Sequence, residues 1–171
     1  MKTKRLVYCA LFAAVTGILS VLSIPTQPVP TNMAIFGVLL AGGMLGKKYG
    51  TLSVAVYILS GAVGTPVFAG FRGGLATLAG PTGGYIAGYI IIAFLTGFIY
   101  EKTQKLKYTL PVMLLAVALC YAAGTTWYCL IMHSGVLSAF TLCVLPFIPA
   151  DIAKIVMASI ILKKYKRRVV N

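Results

Sequence analysis

The sequence predicts an all-α membrane protein: six transmembrane helices forming one domain over residues 1–171. Three observations carry that prediction. The chain is 60% hydrophobic and only 10% charged, whereas soluble domains carry roughly 25% charge. Its apolar residues fall in long runs, and 171 residues accommodate about six spans of about 20 residues with short connections. Its basic residues gather in short clusters between those runs, as they do on the cytoplasmic side of polytopic proteins. The net charge of +13 therefore does not mark a nucleic-acid surface, which needs a basic stripe interleaved with stacking aromatics.

Lys2, Lys4 and Arg5 precede an apolar run over about residues 6–24. A secretory signal has an apolar core of about 7–15 residues and a small-residue cleavage site. This run is longer and ends at Ile24-Pro25, so it is read as span one. It carries Ala10 and Ala14, and also Ala13 and Gly17, at four-residue spacing. Small residues so spaced let another helix approach closely, whether inside the bundle or on a partner. Residues 25–32 (Pro-Thr-Gln-Pro-Val-Pro-Thr-Asn) form an uncharged loop stiffened by proline. It offers Gln27, Thr31 and Asn32 as neutral hydrogen-bonding groups. Residues 33–46 and 51–64 read as spans two and three, two short helices joined by Lys47-Lys48-Tyr49-Gly50. A re-entrant hairpin would put both lysines at membrane depth, which is costly. The Gly-Lys-Lys here lacks the first glycine and the hydroxyl residue of a phosphate-binding loop.

Residues 65–82 are the longest irregular stretch, rich in glycine, with Arg72 as the one charge. Glycine permits unusual backbone angles and close approach to a ligand. An apolar loop of this kind predicts a lid between helices three and four. Arg72 then either offers its planar fork to a carboxylate or rests on lipid headgroups. Span four covers about residues 81–100, with Gly80, Gly84 and Gly88 as a packing stripe beside Tyr85 and Tyr89. Glu101 and the lysines after it read as a solvated turn. Span five, residues 108–132, holds the single tryptophan, Trp127. An indole there serves an interface belt or stacks on a flat ligand. His133 follows in a loop with no nucleophile or second ligand beside it. Cys9, Cys120, Cys129 and Cys143 lie in apolar runs without metal or disulfide spacing and read as packing residues. No metal or cofactor is expected, and the constellation an enzyme would need is missing from the sequence.

Span six is otherwise apolar over about residues 140–162 and contains Asp151 and Lys154. A carboxylate at membrane depth costs at least about 2.5 kcal/mol, so an intramembrane acid points to function by default. Lys154 lies three residues on, on the same helix face. The pair is either a structural ion pair or part of a ligand site. Pro149 suits a first helical turn, which puts Asp151 where the helix dipole favours an anion.

Of the fifteen lysines and arginines, all but Arg72 and Lys154 fall in four clusters: before span one, between spans two and three, between spans four and five, and after span six. This places the clusters and both termini in the cytoplasm. Asp151, Arg72, the proline loop and Trp127 then gather in the external half. Such a site suits a small, mostly apolar ligand with an N–H donor at one end and a carboxylate at the other, since buried charges must be paired. A capture protein of this kind, without a nucleotide loop, needs a partner to drive transport. A small channel or structural membrane subunit is the rival reading.

Four motifs sharpen this. Arg72-Gly73-Gly74-Leu75 precedes Gly80-Pro81-Thr82-Gly83-Gly84-Tyr85; Phe36-Gly37-Val38-Leu39-Leu40-Ala41-Gly42 lies upstream, and Pro149-Ala150-Asp151-Ile152-Ala153-Lys154 lies near the end. With them, nearly the whole chain resembles the BioY family, the biotin-specific substrate-binding (S) components of energy-coupling-factor (ECF) transporters. The resemblance implies a six-helix S-component that takes biotin from outside and is not an enzyme. It implies docking on a transmembrane coupling subunit energised by two ATPase subunits, with Ala10 and Ala14 as the docking pair. It makes Asp151 the acceptor for the ureido ring, while the chemistry of their cationic groups makes Lys154 and Arg72 the candidates for the valerate carboxylate. Tyr85, Trp127, Gln27 and Asn32 complete the expected site. After Val29-Pro30 this chain reads Thr31-Asn32-Met33-Ala34-Ile35 where the family usually has Ile-Thr-Leu-Gln-Thr, leaving Gln27 or Asn32 to supply the first-loop contacts. An S-component for another small vitamin is the alternative within the same class.

Overall fold

The computed structural model describes residues 2–24 and 29–165. Gln27 and the basic residues beyond Tyr165 lie outside the described residues. The chain is helical: α1 (Lys2–Val21), α2 (Ala34–Ala62), α3 (Leu75–Ala79), α4 (Gly83–Lys102), α5 (Leu106–Met132), α6 (Val136–Cys143) and α7 (Ile148–Tyr165). Two-residue strands β1 (Ser23–Ile24) and β2 (Thr31–Asn32) pair antiparallel, Ser23 opposite Asn32. Helix α2 sits centrally, packed on α1, α4 and α7, while α5 joins α4 to α6 and α7.

Among the described residues, α1, α4 and α5 are long and apolar enough to cross a membrane. The bent pair α6 and α7, at 53°, counts as a fourth crossing if it forms one span. Two sequence expectations change form here. Spans two and three appear as the single element α2, broken at Gly46, whose backbone (φ 81°, ψ 176°) is non-helical. In a straight helix, residues 41 and 50 would be about 13 Å apart along the axis. Here a Cβ at Gly50 would stand 2.7 Å from the Ala41 carbonyl oxygen and 2.7 Å from Gly42 Cα. The halves therefore fold back side by side, and Lys47 and Lys48 lie at the bend. Span six is also broken. Its apolar run is continuous in sequence, but the chain turns at residues 144–147, and helix resumes at Ile148 with Asp151 in its first turn.

Helix α1 separates its two small-residue pairs. Ala13 and Gly17 are buried, a Cβ at Gly17 lying 3.4 Å from Val67 Cβ, while Ala10 and Ala14, at the edge of that face, are exposed. Members of the first three basic clusters come close to one another. Arg5 lies over the Tyr49 ring at 5.6 Å, and Lys47 and Lys102 both lie over Phe98. Glu101, expected in a solvated turn, lies instead in the last turn of α4, still partly exposed but tied to Lys47. Its Oε1 accepts from the Lys47 backbone N–H at 3.1 Å, at the break in α2, and its Oε2 pairs with Lys47 Nζ at 3.7 Å.

Candidate functional site

Asp151 and Lys154 form a buried ion pair at the start of α7, 3% and 5% exposed. One helical turn puts Lys154 Nζ 2.6 Å from Asp151 Oδ1. The second carboxylate oxygen accepts from the Tyr121 hydroxyl of α5. Lys154 also donates to the backbone carbonyl of Asn32 at 2.6 Å. Both charges are thus taken up by hydrogen bonds, the condition under which ions are tolerated in a low-dielectric interior. The ammonium has three donors, and two of them serve these contacts.

Asn32 contributes more than its carbonyl. Its Oδ1 accepts from the Ala34 N–H at 3.0 Å, satisfying a donor at the start of α2. The strand ladder and this cap hold the proline-loop exit against α7, so the loop supplies an acceptor where Lys154 needs one.

Two adjoining recesses share Val29, Pro30, Asn32, Tyr85 and Tyr89 as walls. One reaches Tyr121, Asp151 and Lys154. The other reaches Ser20, Tyr57, Thr77, Thr82 and Arg72. The two recesses adjoin at these shared walls; taken as one cleft, they carry the buried Asp151 carboxylate on one side and Arg72 on the other. Beyond Tyr121 and Asp151 lies a separate apolar groove between α5 and the α6–α7 pair. These two side chains are the partition between the cleft and that groove.

The loop after α2 places Arg72. Phe68 is 2% exposed and meets Tyr57 edge-on at 5.6 Å. Its N–H donates to the Arg72 carbonyl at 2.9 Å, closing a tight turn that has positive φ at Gly70 and Phe71. The Gly70 N–H donates to Ser23 Oγ at 3.1 Å, tying this loop to β1. A Cβ at Gly61 would collide with the Phe68 ring. Gly61→Ala is therefore expected to expel Phe68 and loosen residues 65–74. Hydrogen exchange of those amides should quicken by about tenfold or more, and unchanged protection would refute the anchoring role.

The remaining expected site residues divide. Tyr85 lines both recesses, its hydroxyl 3.1 Å from Thr125 Oγ1. Trp127 lines neither recess. Its indole N–H donates to the Gly80 carbonyl at 2.9 Å and its side chain covers Gly84, so it fastens the turn before α4. Tyr121 and Tyr89 were not singled out as site residues from the sequence. Tyr89 had a readable signal, its position one turn after Tyr85 on the same face.

Comparisons with known proteins show the family. The biotin transporter BioY of Thermotoga maritima is 38% identical over 164 residues, covering 96% of each chain. The probable biotin transporter BioY of Pyrococcus horikoshii is 42% identical, covering 96% of this chain and 97% of its own. A crystal structure of the S-component for biotin from an ECF-type ABC transporter matches with a TM-score of 0.90 and 33% identity, over 98% of this chain and 93% of that one. The BioY family model matches residues 1–171, and the chain belongs to the BioY family.

Proposed function

We propose that this protein captures biotin outside the cell as the S-component of an ECF-type ABC transporter. The observation that carries the proposal is the cleft with Asp151 and Lys154 on one side and Arg72 on the other. Biotin has a ureido ring with N–H donors at one end and a carboxylate at the other. Asp151 accepts from the ureido N–H in exchange for part of its bonding to Tyr121. Arg72 takes the carboxylate in bidentate fashion, because Lys154 already spends two of its three donors within the protein. Apolar and aromatic walls bury the thioether ring and alkyl chain, in keeping with the mostly apolar lining of small-molecule sites. The names of the relatives and the fold shared with the biotin S-component support the same reading.

Membrane placement follows in the same proposal. The chain is a multi-pass protein of the cell membrane with six spans, counting each half of α2 and taking α6–α7 as one. Both termini are cytoplasmic, because the basic clusters alternate with the apolar runs in the order the positive-inside rule requires. Residues 65–82 form the external lid. The exposed Ala10 and Ala14 of α1 are the face on which a transmembrane coupling subunit docks, and two ATPase subunits supply the energy.

The testing experiment is calorimetric titration of the detergent-solubilised protein with biotin, followed by desthiobiotin, thiamine and riboflavin. Tight binding of biotin with no heat from thiamine or riboflavin is expected. Preference for one of those vitamins would move the protein to another S-component specificity, and no binding at all would favour a channel or structural subunit. Arg72→Ala should weaken biotin by about tenfold or more, since hydrogen bonds to charged groups contribute about 1.5–3 kcal/mol. Its melting temperature should be unchanged because the side chain is exposed. Undiminished affinity would move the carboxylate to Lys154.

A further inference from the structure

The outward face of α4 carries Ile90, Phe94, Phe98 and Lys102 at four-residue spacing, which lines them up along one side of the helix. Ile90 and Phe94 are exposed, Phe98 is half-buried, and the two phenylalanine rings stack at 6.3 Å. At the top of this apolar stripe, two ammonium groups converge on one ring. Lys102 Nζ lies 4.4 Å from the Phe98 centroid, and Lys47 Nζ reaches the same ring at 5.5 Å from the break in α2. Glu101 supplies the one carboxylate in this group, at 3.7 Å from Lys47 Nζ, so one positive charge remains unbalanced. A fixed pair of cations above an exposed apolar stripe has the layout of a phospholipid: charge at the headgroup, hydrocarbon below.

We infer that Lys47 and Lys102 hold the phosphate of one anionic phospholipid whose acyl chain lies along Phe98, Phe94 and Ile90. The bend at Gly46 makes the site. Gly97 leaves no room for a Cβ against the backbone of Gly46 and Lys47, so the bend is held against the α4 terminus and Lys47 is fixed beside Lys102. Glu101 then acts as a positioning residue, holding Lys47 by its backbone N–H and its ammonium. Phosphate alone would use the two cations but not the stripe, and the stripe is what commits the site to a lipid. Basic pockets at the cytoplasmic ends of membrane helices recognise anionic headgroups in this way. The site is remote from the biotin cleft and does not depend on that assignment.

The test is native mass spectrometry of the full chain from detergent micelles containing phosphatidylglycerol or phosphatidylcholine. The wild type is expected to retain one phosphatidylglycerol in preference to phosphatidylcholine. Retention should fall by about fivefold for each lysine removed, in K102Q and further in K47Q/K102Q, and also in F94A/F98A. K163Q/K164Q, which removes two charges from the end of α7, should leave it unchanged. Excess inorganic phosphate should not displace the lipid. The proposal is overturned by equal retention of both lipids, by equal loss in K163Q/K164Q, or by displacement with phosphate. Because Lys47 also pairs with Glu101, K102Q is the decisive variant, with melting followed by Trp127 fluorescence to confirm the fold; unchanged retention in K102Q also overturns the proposal.

Discussion

Asp151→Asn is expected to weaken biotin binding by roughly ten- to a hundredfold, the range set by hydrogen bonds to a charged acceptor. The amide keeps the shape of the carboxylate and still accepts one bond, so what is lost is charge and the second acceptor. The same substitution strips Lys154 of its counter-ion in a site where it is 5% exposed. Breaking a buried pair by removing one partner costs about 3–5 kcal/mol, so melting should fall as well. The two effects separate in D151N/K154M, which removes both charges and leaves no unpaired ion, at the cost only of the Lys154 bond to the Asn32 carbonyl. That variant should recover most of the lost stability, because replacing a buried pair by apolar groups is often neutral, while biotin stays weakly bound. If D151N binds biotin with undiminished affinity, the carboxylate is not in the site. If D151N/K154M regains affinity along with stability, the loss was one of folding, not of recognition.

Much of this site was readable before any coordinates, and the unreadable part has a common cause. Asp151 and Lys154 announced themselves through the cost of charge in an apolar run and through their spacing. Arg72 stood out as the one charge of a glycine-rich loop. By contrast, Tyr121 lies thirty residues before Asp151, and a tyrosine in an apolar run is also an ordinary core residue. Asn32 was expected to act through its amide; the structure uses its backbone carbonyl for Lys154 and its Oδ1 as a cap. A backbone acceptor leaves no trace in residue type. Trp127 carried two readings, and the partner that decides its place, the Gly80 carbonyl, is again backbone.

The helix breaks follow the same logic. Gly46 is one of many glycines in the chain, and nothing local marks it as the one with positive φ inside α2. That bend also explains why the tie made by Glu101 is not legible in the sequence. Its partner is a backbone N–H freed by the break, 54 residues away in sequence. In the last apolar run, Pro146 and Pro149 were visible, and Pro149 correctly put Asp151 in a first turn. The continuous hydrophobicity around them hid the separate helix α6. Apolar periodicity reports burial in lipid or protein equally and so does not mark where a helix stops.

Gly42→Val should produce the largest loss of stability, because both surfaces in contact are main chain. A Cβ at Gly42 would lie 2.5 Å from the Ala93 carbonyl oxygen and 3.1 Å from Ala93 Cα. No rotamer change relieves an overlap between helix backbones; α2 and α4 must move apart. Overpacking costs about 1–3 kcal/mol where side chains can adjust, and here about 3 kcal/mol or more is expected. For a chain of this size that corresponds to a fall in melting temperature of about 6–12 °C. Gly135→Ala is the matched control: its φ of −65° suits any residue and no heavy atom lies within 4 Å of the added methyl. It should melt within about 0.5 kcal/mol of the wild type. The consequence reaches the cleft, since α4 carries Tyr85 and Tyr89 while Asn32 lies just before α2. Moving the helices apart shifts one wall against the other, so the fraction of Gly42→Val that remains folded should also bind biotin more weakly. A variant that melts like the wild type would mean that α2 and α4 are not in backbone contact at Gly42, and the cleft built between them would have to be redrawn.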